Sequence, residues 1–430
     1  MKKLSFFWIL ALVICSVISC AEKEQFEQEL QTQKREQFKE KLSHEVTQAE
    51  ARVKLEKLLT KLNIPSTRGG DTNSLPPITS VYTRGKAAVA TRADEEVEPY
   101  FHIFNFGDNE GFAIMSGDDR VEPLLALTSK GTFNPDEEID SPGFEYAYKK
   151  MEEYYVARVI GGPSIDIYDS IPPRDTLPLD FPVRETREDT LIYHTMNYGY
   201  CPVKWHQEEP YNKYCYTLDG ETAKTGCVAT AVAQLMAIYR YPNSYNGYTF
   251  DWYEMRNSAQ QNDTIVIDQI ARLMQQLGLS NNLGMNYGED YSLASAGGIP
   301  LTFRNFGYAN GGNVIEYNSS TVLNELMNGY PILLGGDDGR FGHFWLGHGL
   351  LEYRINHRGY NAFDEEIYYQ SYLVGYYILY NWGDKLFYDG FFLSGIFDAL
   401  STPAFSDPTR SIDIYNYQND VLAVVGIRKY

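Results

Sequence analysis

Apolar residues recur along this chain with two different periods, and the change of period divides it into regions. Between Val53 and Leu62 they recur at helical spacing, whereas residues 100–116 alternate in two runs around a turn at 107–111, which predicts a β-hairpin. The last hundred residues carry further strand patterns, at 331–334, 342–350, 376–383, 389–393 and 422–427. Helices and strands are thus segregated along the chain, which predicts an α+β fold.

Two segments without periodicity interrupt this pattern. Residues 64–98 are rich in Gly, Pro, Ser, Thr and charge, and we interpret them as a loop or linker. A helical patch follows near 145–158, and residues 171–182, which contain four prolines, are predicted to be an extended connector. We place a domain boundary there, between a small α+β unit (residues 20–185) and a larger second domain (residues 186–430).

One helix of the second domain carries a candidate nucleophile at its start. Cys227 follows a flexible Gly226 and opens a run of small and apolar residues that ends near Pro242, because proline cannot continue a helix. The free N–H groups and the dipole at a helix N-terminus favour a thiolate, which is the nucleophilic form of cysteine. This segment by itself is more typical of a buried, unreactive cysteine, so the rest of the chain has to decide.

The charge balance excludes two classes of partner. The 430 residues carry 57 Asp and Glu against 37 Lys and Arg, a formal net charge of −20. Nucleic acid requires a basic footprint, and so does adhesion to anionic lipid through surface charge. No His, Cys, Asp and Glu cluster has metal-ligand spacing, and Gly297-Gly298 lacks the Gly-Lys-Ser/Thr of a phosphate loop, so no cofactor is expected.

The N-terminus has the pattern of an export signal. A positively charged start is followed by an apolar run from Phe6 to Ile18, which is too short for a convincing membrane span. The run ends in Val-Ile-Ser-Cys20, which resembles a bacterial lipobox and implies removal of residues 1–19 and lipid attachment to Cys20. An ordinary secretory signal that ends in cysteine is the alternative. We therefore expect an exported lipoprotein of the bacterial outer membrane or cell surface, which processing can release.

Cysteine usage is consistent with a free thiol in the exported protein. Cys15 leaves with the signal and Cys20 is lipidated, so Cys201, Cys215 and Cys227 remain. An odd number in this setting indicates either an intermolecular pair or a free reactive thiol. A disulfide between Cys201 and Cys215 would leave Cys227 free, although the sequence does not decide the pairing.

A cysteine nucleophile needs a base that takes its proton and a third group that orients the base. The chain offers His343 before an apolar strand and Asn381 at the end of a later strand. His348 is the runner-up base, but it lies on the opposite strand face from His343, and we interpret it as structural. His357 lies in a polar segment and is expected to be exposed.

Several motifs follow one another in order: Gly111-Phe112-Ala113-Ile114-Met115-Ser116-Gly117-Asp118-Asp119-Arg120, Gln207 with Pro210-Tyr211-Asn212, Thr225-Gly226-Cys227-Val228-Ala229-Thr230-Ala231, Gly342-His343 and Asn381-Trp382-Gly383. Together they resemble the streptopain family of bacterial papain-like cysteine proteases. The first resembles the inhibitory pro-domain of that family. The others resemble its oxyanion-hole glutamine, catalytic cysteine, catalytic histidine and asparagine–tryptophan segments. The likeness covers most of the chain after the signal.

The resemblance implies a fold and a way of keeping the enzyme inactive. The fold would be a two-lobed papain-like domain, with a helical lobe and an antiparallel β lobe, behind a small α+β pro-domain. The pro-domain would act as an intramolecular inhibitor of a zymogen. We expect the activating cut between Ser170 and Thr195.

The resemblance also implies a role for each residue of the site. Cys227 would attack the peptide carbonyl as a thiolate, and His343 would form an ion pair with it and then protonate the leaving amine. Asn381 would orient the imidazole, and Trp382 would shield that contact from water. Gln207 and the backbone N–H of Cys227 would stabilise the oxyanion.

The chain departs from the family pattern around these residues. Phe341 and Phe344 stand beside the histidine motif where the family often has glycine and alanine, His348 replaces an aspartate, and Asp384 replaces a second tryptophan. An insertion of about residues 353–375 separates the histidine and asparagine strands. These changes bear on substrate specificity more than on catalysis.

Three functions compete on this evidence. The first is an exported, lipid-anchored cysteine endopeptidase that acts on proteins or peptides. The second is a surface-binding lipoprotein that keeps the fold without activity, but intact Cys227, His343, Asn381 and Gln207 weigh against it. The third is another Cys–His acyl-transferase, such as a transglutaminase-like enzyme, which would incorporate amines instead of releasing peptide fragments.

Overall fold

The computed structural model describes most of the chain after the predicted signal. The described residues are 44–62, 77–85, 98–161, 184–257, 262–337, 342–361, 363–384, 387–398 and 421–430. The predicted lipidation site Cys20 and the predicted connector 171–182 lie outside them. Within these ranges, no helix is long and apolar enough to cross a bilayer.

The described helices and strands make up an α+β fold, as the sequence predicts, although β5 and β8 each lie between two helices along the chain. The helices are α1 (Gln48–Lys61), α2 (Pro142–Gly161), α3 (Cys227–Tyr239), α4 (Trp252–Arg256), α5 (Thr264–Gly278), α6 (Ile299–Asn305) and α7 (Ser319–Met327). The strands are β1 (Ile78–Arg84), β2 (Phe101–Phe106), β3 (Phe112–Ser116), β4 (Leu124–Thr128), β5 (Arg184–Tyr193), β6 (Ser244–Tyr245), β7 (Tyr248–Thr249), β8 (Asn310–Glu316), β9 (Ile332–Asp337), β10 (Gly342–Tyr360), β11 (Glu366–Asn381), β12 (Gly390–Leu393) and β13 (Val421–Arg428).

One antiparallel sheet runs through both parts of the chain. Its strand order is β1-β2-β3-β4-β12-β11-β10-β9-β13-β8, with β5 paired to β10 outside this path. The N-terminal meander β1–β4 joins the second domain where β4 pairs with β12, with Leu127 opposite Phe391. The N-terminal unit therefore continues the sheet of the second domain across a shared strand edge.

Two hydrophobic clusters lie on opposite faces of the central strands. In β10, Trp345 belongs to the cluster that includes α2, whereas its neighbour Leu346 belongs to the cluster around α3 and α5. Successive side chains of a strand point to opposite faces, so this alternation places the sheet between the two helical layers. Every residue of α3 after Cys227 is buried, which is typical of a helix surrounded by core.

The predicted insertion forms two strands, residues 353–360 of β10 and 366–375 of β11, and β5 pairs with the first of them to make a ribbon of three strands. Helix α1 docks on it: Lys54 Nζ and the Tyr353 hydroxyl both donate to Asp189 Oδ1, at 2.7 and 2.6 Å. The expectation that His357 is exposed is wrong. It is only 3% exposed, because β10 continues through it and its ring packs against Tyr368.

Among the strands that sequence patterns missed, β1 and β5 change the predicted domain organisation most. Residues 64–98 were expected to be a loop or linker, but β1 pairs with β2 along Ser80–Arg84. The charged strand β5 pairs with β10 over all ten of its residues, and the boundary predicted after residue 185 falls inside it. Both strands carry mixed polar and apolar residues, so only their partners in the sheet reveal them.

Candidate active site

Cys227 lies at the start of the buried helix α3, in the position that its sequence predicts. Gly226 precedes it with φ of +85°, in the left-handed region, and a Cβ atom added there would lie 2.8 Å from the carbonyl oxygen of Ser292. Glycine is therefore required both by the backbone conformation and by the close approach of the neighbouring loop. The backbone N–H of Thr225 donates to the carbonyl of Gln207 at 2.9 Å, which fixes that segment beside the helix start.

His343, the second residue of β10, forms a side-chain hydrogen bond with Cys227. Its Nε2 lies 2.8 Å from the carbonyl oxygen of Trp382. A carbonyl can only accept, so Nε2 must carry a proton, and Nδ1 is left to take the thiol proton. The structure thus pairs the predicted nucleophile with the predicted base in the tautomer that proton transfer requires.

The surroundings of the pair favour its ionised form. Burial opposes a charge on Cys227, but the hydrogen bond and charge of His343 and the backbone N–H groups of Phe344 and Val228 hold the pKa of the thiol below its ordinary value. Burial also disfavours the imidazolium, but Cys227 and the Trp382 carbonyl raise the pKa of His343 above its ordinary value. Each group thus shifts the pKa of the other in the direction that favours a thiolate–imidazolium pair.

The structure differs from the role expected for Asn381. Among the described residues, no hydrogen bond joins Asn381 to His343. Asn381 Oδ1 instead accepts from Gln234 Nε2 at 2.9 Å and from the backbone N–H of Gly383 at 3.0 Å, and its amide donates to the Val203 carbonyl. The hydrogen-bond acceptor for His343 Nε2 is instead the backbone carbonyl of Trp382, the residue after Asn381. No pattern of side chains in the sequence can reveal a backbone acceptor.

Trp382 and Gln207 are both near the pair. Trp382 is fully buried, its indole Nε1 donates to the Tyr388 carbonyl at 3.0 Å, and its ring packs against Trp345. Gln207 is half-buried and is tied to the nucleophile's segment through its backbone. Its role in the oxyanion hole stays a prediction.

The remaining histidine and cysteine candidates have structural surroundings. His348 is buried, its Nδ1 accepts from the backbone N–H of Cys201 at 3.0 Å, and burial lowers its pKa to about 3. Cys201, Cys215 and Cys227 are all free thiols, so the disulfide considered between the first two is absent. Burial raises the pKa of Cys201 to about 12 and that of Cys215 to about 11, so neither competes with Cys227 as a thiolate.

One group in the described part of the chain brings carboxylates and a histidine together, far from Cys227 in sequence. It consists of His44, Asp118 and Asp119. Asp118 is already paired with Arg120, whose Nε donates to it at 2.9 Å. The cluster is therefore satisfied by protein groups, and we assign no metal to it.

Helix α2 of the N-terminal unit covers the site. A Cβ atom added at Gly143 would lie 2.7 Å from His343 Cδ2 and 2.6 Å from Trp382 Cε3. The next residues extend the contact, because Phe144 stacks on Tyr388 at 4.6 Å between ring centroids. Only a residue without a side chain allows the helix start to approach the imidazole so closely.

These pKa shifts predict the pH dependence of Cys227 reactivity. After limited proteolysis has removed the N-terminal unit, we expect iodoacetamide to alkylate Cys227 well below the ordinary thiol pKa of about 8.5. His343→Gln should move this profile upward, because the stabilising charge is lost while the burial remains. The measurement is the alkylation rate of Cys227 against pH by mass spectrometry. Identical profiles in the two proteins would contradict the ion pair.

Comparisons with known proteins agree with this architecture. Residues 205–392 match the Peptidase C10 family, and residues 43–155 match the Spi protease inhibitor family. The chain is 24% identical over 371 residues to a streptopain of Streptococcus pyogenes, a match that covers 76% of this chain and 80% of streptopain. It is 32% identical over 167 residues to the thiol protease/hemagglutinin PrtT of Porphyromonas gingivalis, covering 38% of this chain but only 18% of PrtT.

A solved structure shows the same fold. A fragment of prointerpain A from Prevotella intermedia superposes with a TM-score of 0.50 at 21% sequence identity, covering 82% of this chain and 100% of that chain. The predicted α+β, papain-like architecture with a preceding pro-domain is confirmed. The chain therefore combines a streptopain-like cysteine protease domain of the Peptidase C10 family, residues 205–392, with an inhibitor domain of the Spi type ahead of it.

Proposed function

We propose that this protein is the zymogen of an endopeptidase that cleaves peptide bonds in proteins through Cys227 and His343. The observation that carries the proposal is the hydrogen-bonded pair itself. A thiol with a lowered pKa at a helix N-terminus faces an imidazole with a raised pKa. A binding protein has no use for this arrangement, because it buries two ionisable groups at an energetic cost.

The geometry supports an acyl-transfer sequence. The Cys227 thiolate attacks the substrate carbonyl carbon, and the carbonyl oxygen becomes an oxyanion. His343 then gives its Nδ1 proton to the leaving amine as the C–N bond breaks, which leaves a thioester on Cys227. Water then attacks the thioester while neutral His343 takes a proton from that water. The carboxylic acid product leaves, and the thiolate–imidazolium pair of Cys227 and His343 is restored.

The oxyanion requires donors near Cys227. We propose the side-chain amide of Gln207 and the backbone N–H of Cys227 for this role. One such donor is worth about 2.7–4 kcal/mol in other acyl-transfer enzymes. The support in the structure is the position of Gln207, whose carbonyl is bonded to Thr225, two residues before the nucleophile.

The pro-domain is proposed to keep the enzyme latent through three attachments. Gly143 and Phe144 of α2 lie against His343 and Tyr388, β4 extends the sheet at β12, and α1 binds the ribbon through Lys54 and Asp189. Substrate cannot reach His343 while α2 occupies this position. Removal of the pro-domain is therefore the activating event.

The activating cut is proposed to lie before Arg184, at the upstream side of the predicted window. Residues 184–193 are hydrogen-bonded into the sheet along β10 and would have to leave it to enter a protease cleft. We further propose export with a lipid anchor on Cys20, on the sequence pattern alone. N-terminal sequencing of the released form and the mass of the membrane form test both. A released chain that starts within β5, or a Cys20 without lipid, would contradict them.

The test of the proposed function is labelling with an irreversible epoxide inhibitor of papain-like proteases. Full-length and proteolytically processed protein are compared, and the labelled residue is identified by mass spectrometry together with release of peptide fragments from casein. We expect an adduct on Cys227 and casein cleavage only after processing. A folded, processed protein with neither would favour the inactive surface-binding lipoprotein, and amine incorporation without cleavage would favour an acyl-transferase.

A further inference from the structure

The acceptor for His343 Nε2 is a main-chain carbonyl, so the orientation of the imidazole depends on what holds that peptide in place. The carbonyl belongs to Trp382, in the turn formed by Asn381, Trp382 and Gly383. Gly383 has φ of +73°, a conformation that other residues rarely adopt, so the turn is tightly shaped.

Two residues of the following segment hold Trp382. Asp389 Oδ1 accepts from the backbone N–H of Trp382 at 2.9 Å, and the Tyr388 carbonyl accepts from its indole Nε1 at 3.0 Å. Asp389 is only 7% exposed, and His343 is 5% exposed. The carboxyl of Asp389 is thus one peptide unit away from the carbonyl that binds His343.

The other side of the turn is held from helix α3. Gln234 Nε2 donates to Asn381 Oδ1, which also accepts from Gly383 N–H, at 2.9 and 3.0 Å. Asn381 therefore shapes the turn, and the N–H of Trp382 depends on Asp389. A shift of the Trp382 backbone would move its carbonyl oxygen away from His343 Nε2 and allow the imidazole to rotate away from Cys227.

We propose that Asp389 is a positioning residue for the Cys227–His343 pair, acting through the Trp382 peptide. The proposal deepens the proposed function and rests on it. Asp389 does not touch the reacting atoms. Its hydrogen bond fixes the carbonyl that keeps Nε2 protonated and Nδ1 directed at the thiol.

The hydrogen bond, and not the charge of Asp389, is the feature that matters. Burial raises the pKa of Asp389 to about 8, the Trp382 N–H acts in the opposite direction, and nearby Asp384 adds to the increase. A charge on Asp389 also contributes to the raised pKa of the Cys201 thiol. At neutral pH the group is therefore largely the neutral acid, which an asparagine side chain imitates in shape and as an acceptor.

The test uses three variants of the full-length chain, each processed by limited proteolysis before assay. Asp389→Ala removes the acceptor and is expected to lower kcat by about a hundredfold, as small displacements of catalytic groups do, with KM within about twofold. It should also move the Cys227 alkylation profile to higher pH. Asp389→Asn keeps an acceptor and is expected to restore kcat and the profile to near wild-type values. Asp384→Asn is the matched control, because it changes a neighbouring carboxylate without removing the acceptor for Trp382 N–H.

Each outcome decides the proposal. Wild-type kcat and alkylation in a folded Asp389→Ala protein would overturn it, and so would an Asp389→Asn protein as impaired as Asp389→Ala. If Asp389→Ala does not fold, Asp389→Asn alone still tests the claim, because loss of the low alkylation pKa there would overturn it. If the wild-type protein cleaves no peptide, the proposed function fails. The alkylation profiles, which need no substrate, then decide the role of Asp389 separately.

Discussion

Replacement of Cys227 by alanine is expected to abolish peptide hydrolysis, with kcat lower by about a millionfold, as when the nucleophile of another covalent protease is removed. No other described thiol can take over, since burial raises the pKa of both Cys201 and Cys215. The measurement is hydrolysis of casein and of a fluorogenic peptide by the processed protein. The fold should survive, because alanine is an excellent helix former at the start of α3.

Cys215→Ala is the matched control for this substitution. Cys215 is completely buried, and its pKa is set by burial and Tyr287 with no contribution from His343, so its replacement should leave kcat within about threefold, the scale of a substitution outside the site. Residual hydrolysis by Cys227→Ala at more than about a thousandth of the wild-type rate would assign the nucleophile elsewhere, because such a rate exceeds what binding and the oxyanion hole alone supply.

Gly143→Leu is expected to weaken latency in the uncut chain. The leucine Cβ would overlap His343 and Trp382, and overpacking of this kind costs about 1–3 kcal/mol. Because 1.4 kcal/mol corresponds to a factor of ten, the open form should become about five- to 150-fold more populated. The measurement is the rate at which the epoxide inhibitor labels Cys227 in full-length protein, which should increase by the same factor.

Glu153→Leu introduces the same side chain at an exposed position of the same helix and serves as the control. It should leave the labelling rate of the uncut protein unchanged. A Gly143→Leu protein that is folded and labelled no faster than wild type would show that the close contact of α2 with His343 does not keep the site closed. To exclude cleavage during the assay, the length of the labelled chain is checked by mass spectrometry.

Local signals in the sequence account for much of the fold. The start of α3 at Cys227 and its end before Pro242 follow from turn and breaker residues. The antiparallel strands of the last hundred residues follow from apolar alternation. Strands β1 and β5 were missed because their charged, mixed patterns indicate a strand only when β2 and β10 lie beside them. The residues that pair between β5 and β10 are more than 150 positions apart along the chain.

By itself, the sequence indicated the family, the α+β architecture and the two residues that we propose as the reacting pair, because motifs and periodicity depend on side-chain identities. Only the tertiary structure decided how the pair is held. The acceptor for His343 Nε2 is a backbone carbonyl, which every residue possesses. Asn381 instead accepts a hydrogen bond from Gln234. The structure also singled out Gly143 among 35 glycines, since a close approach between two domains is a property of packing and leaves no local pattern.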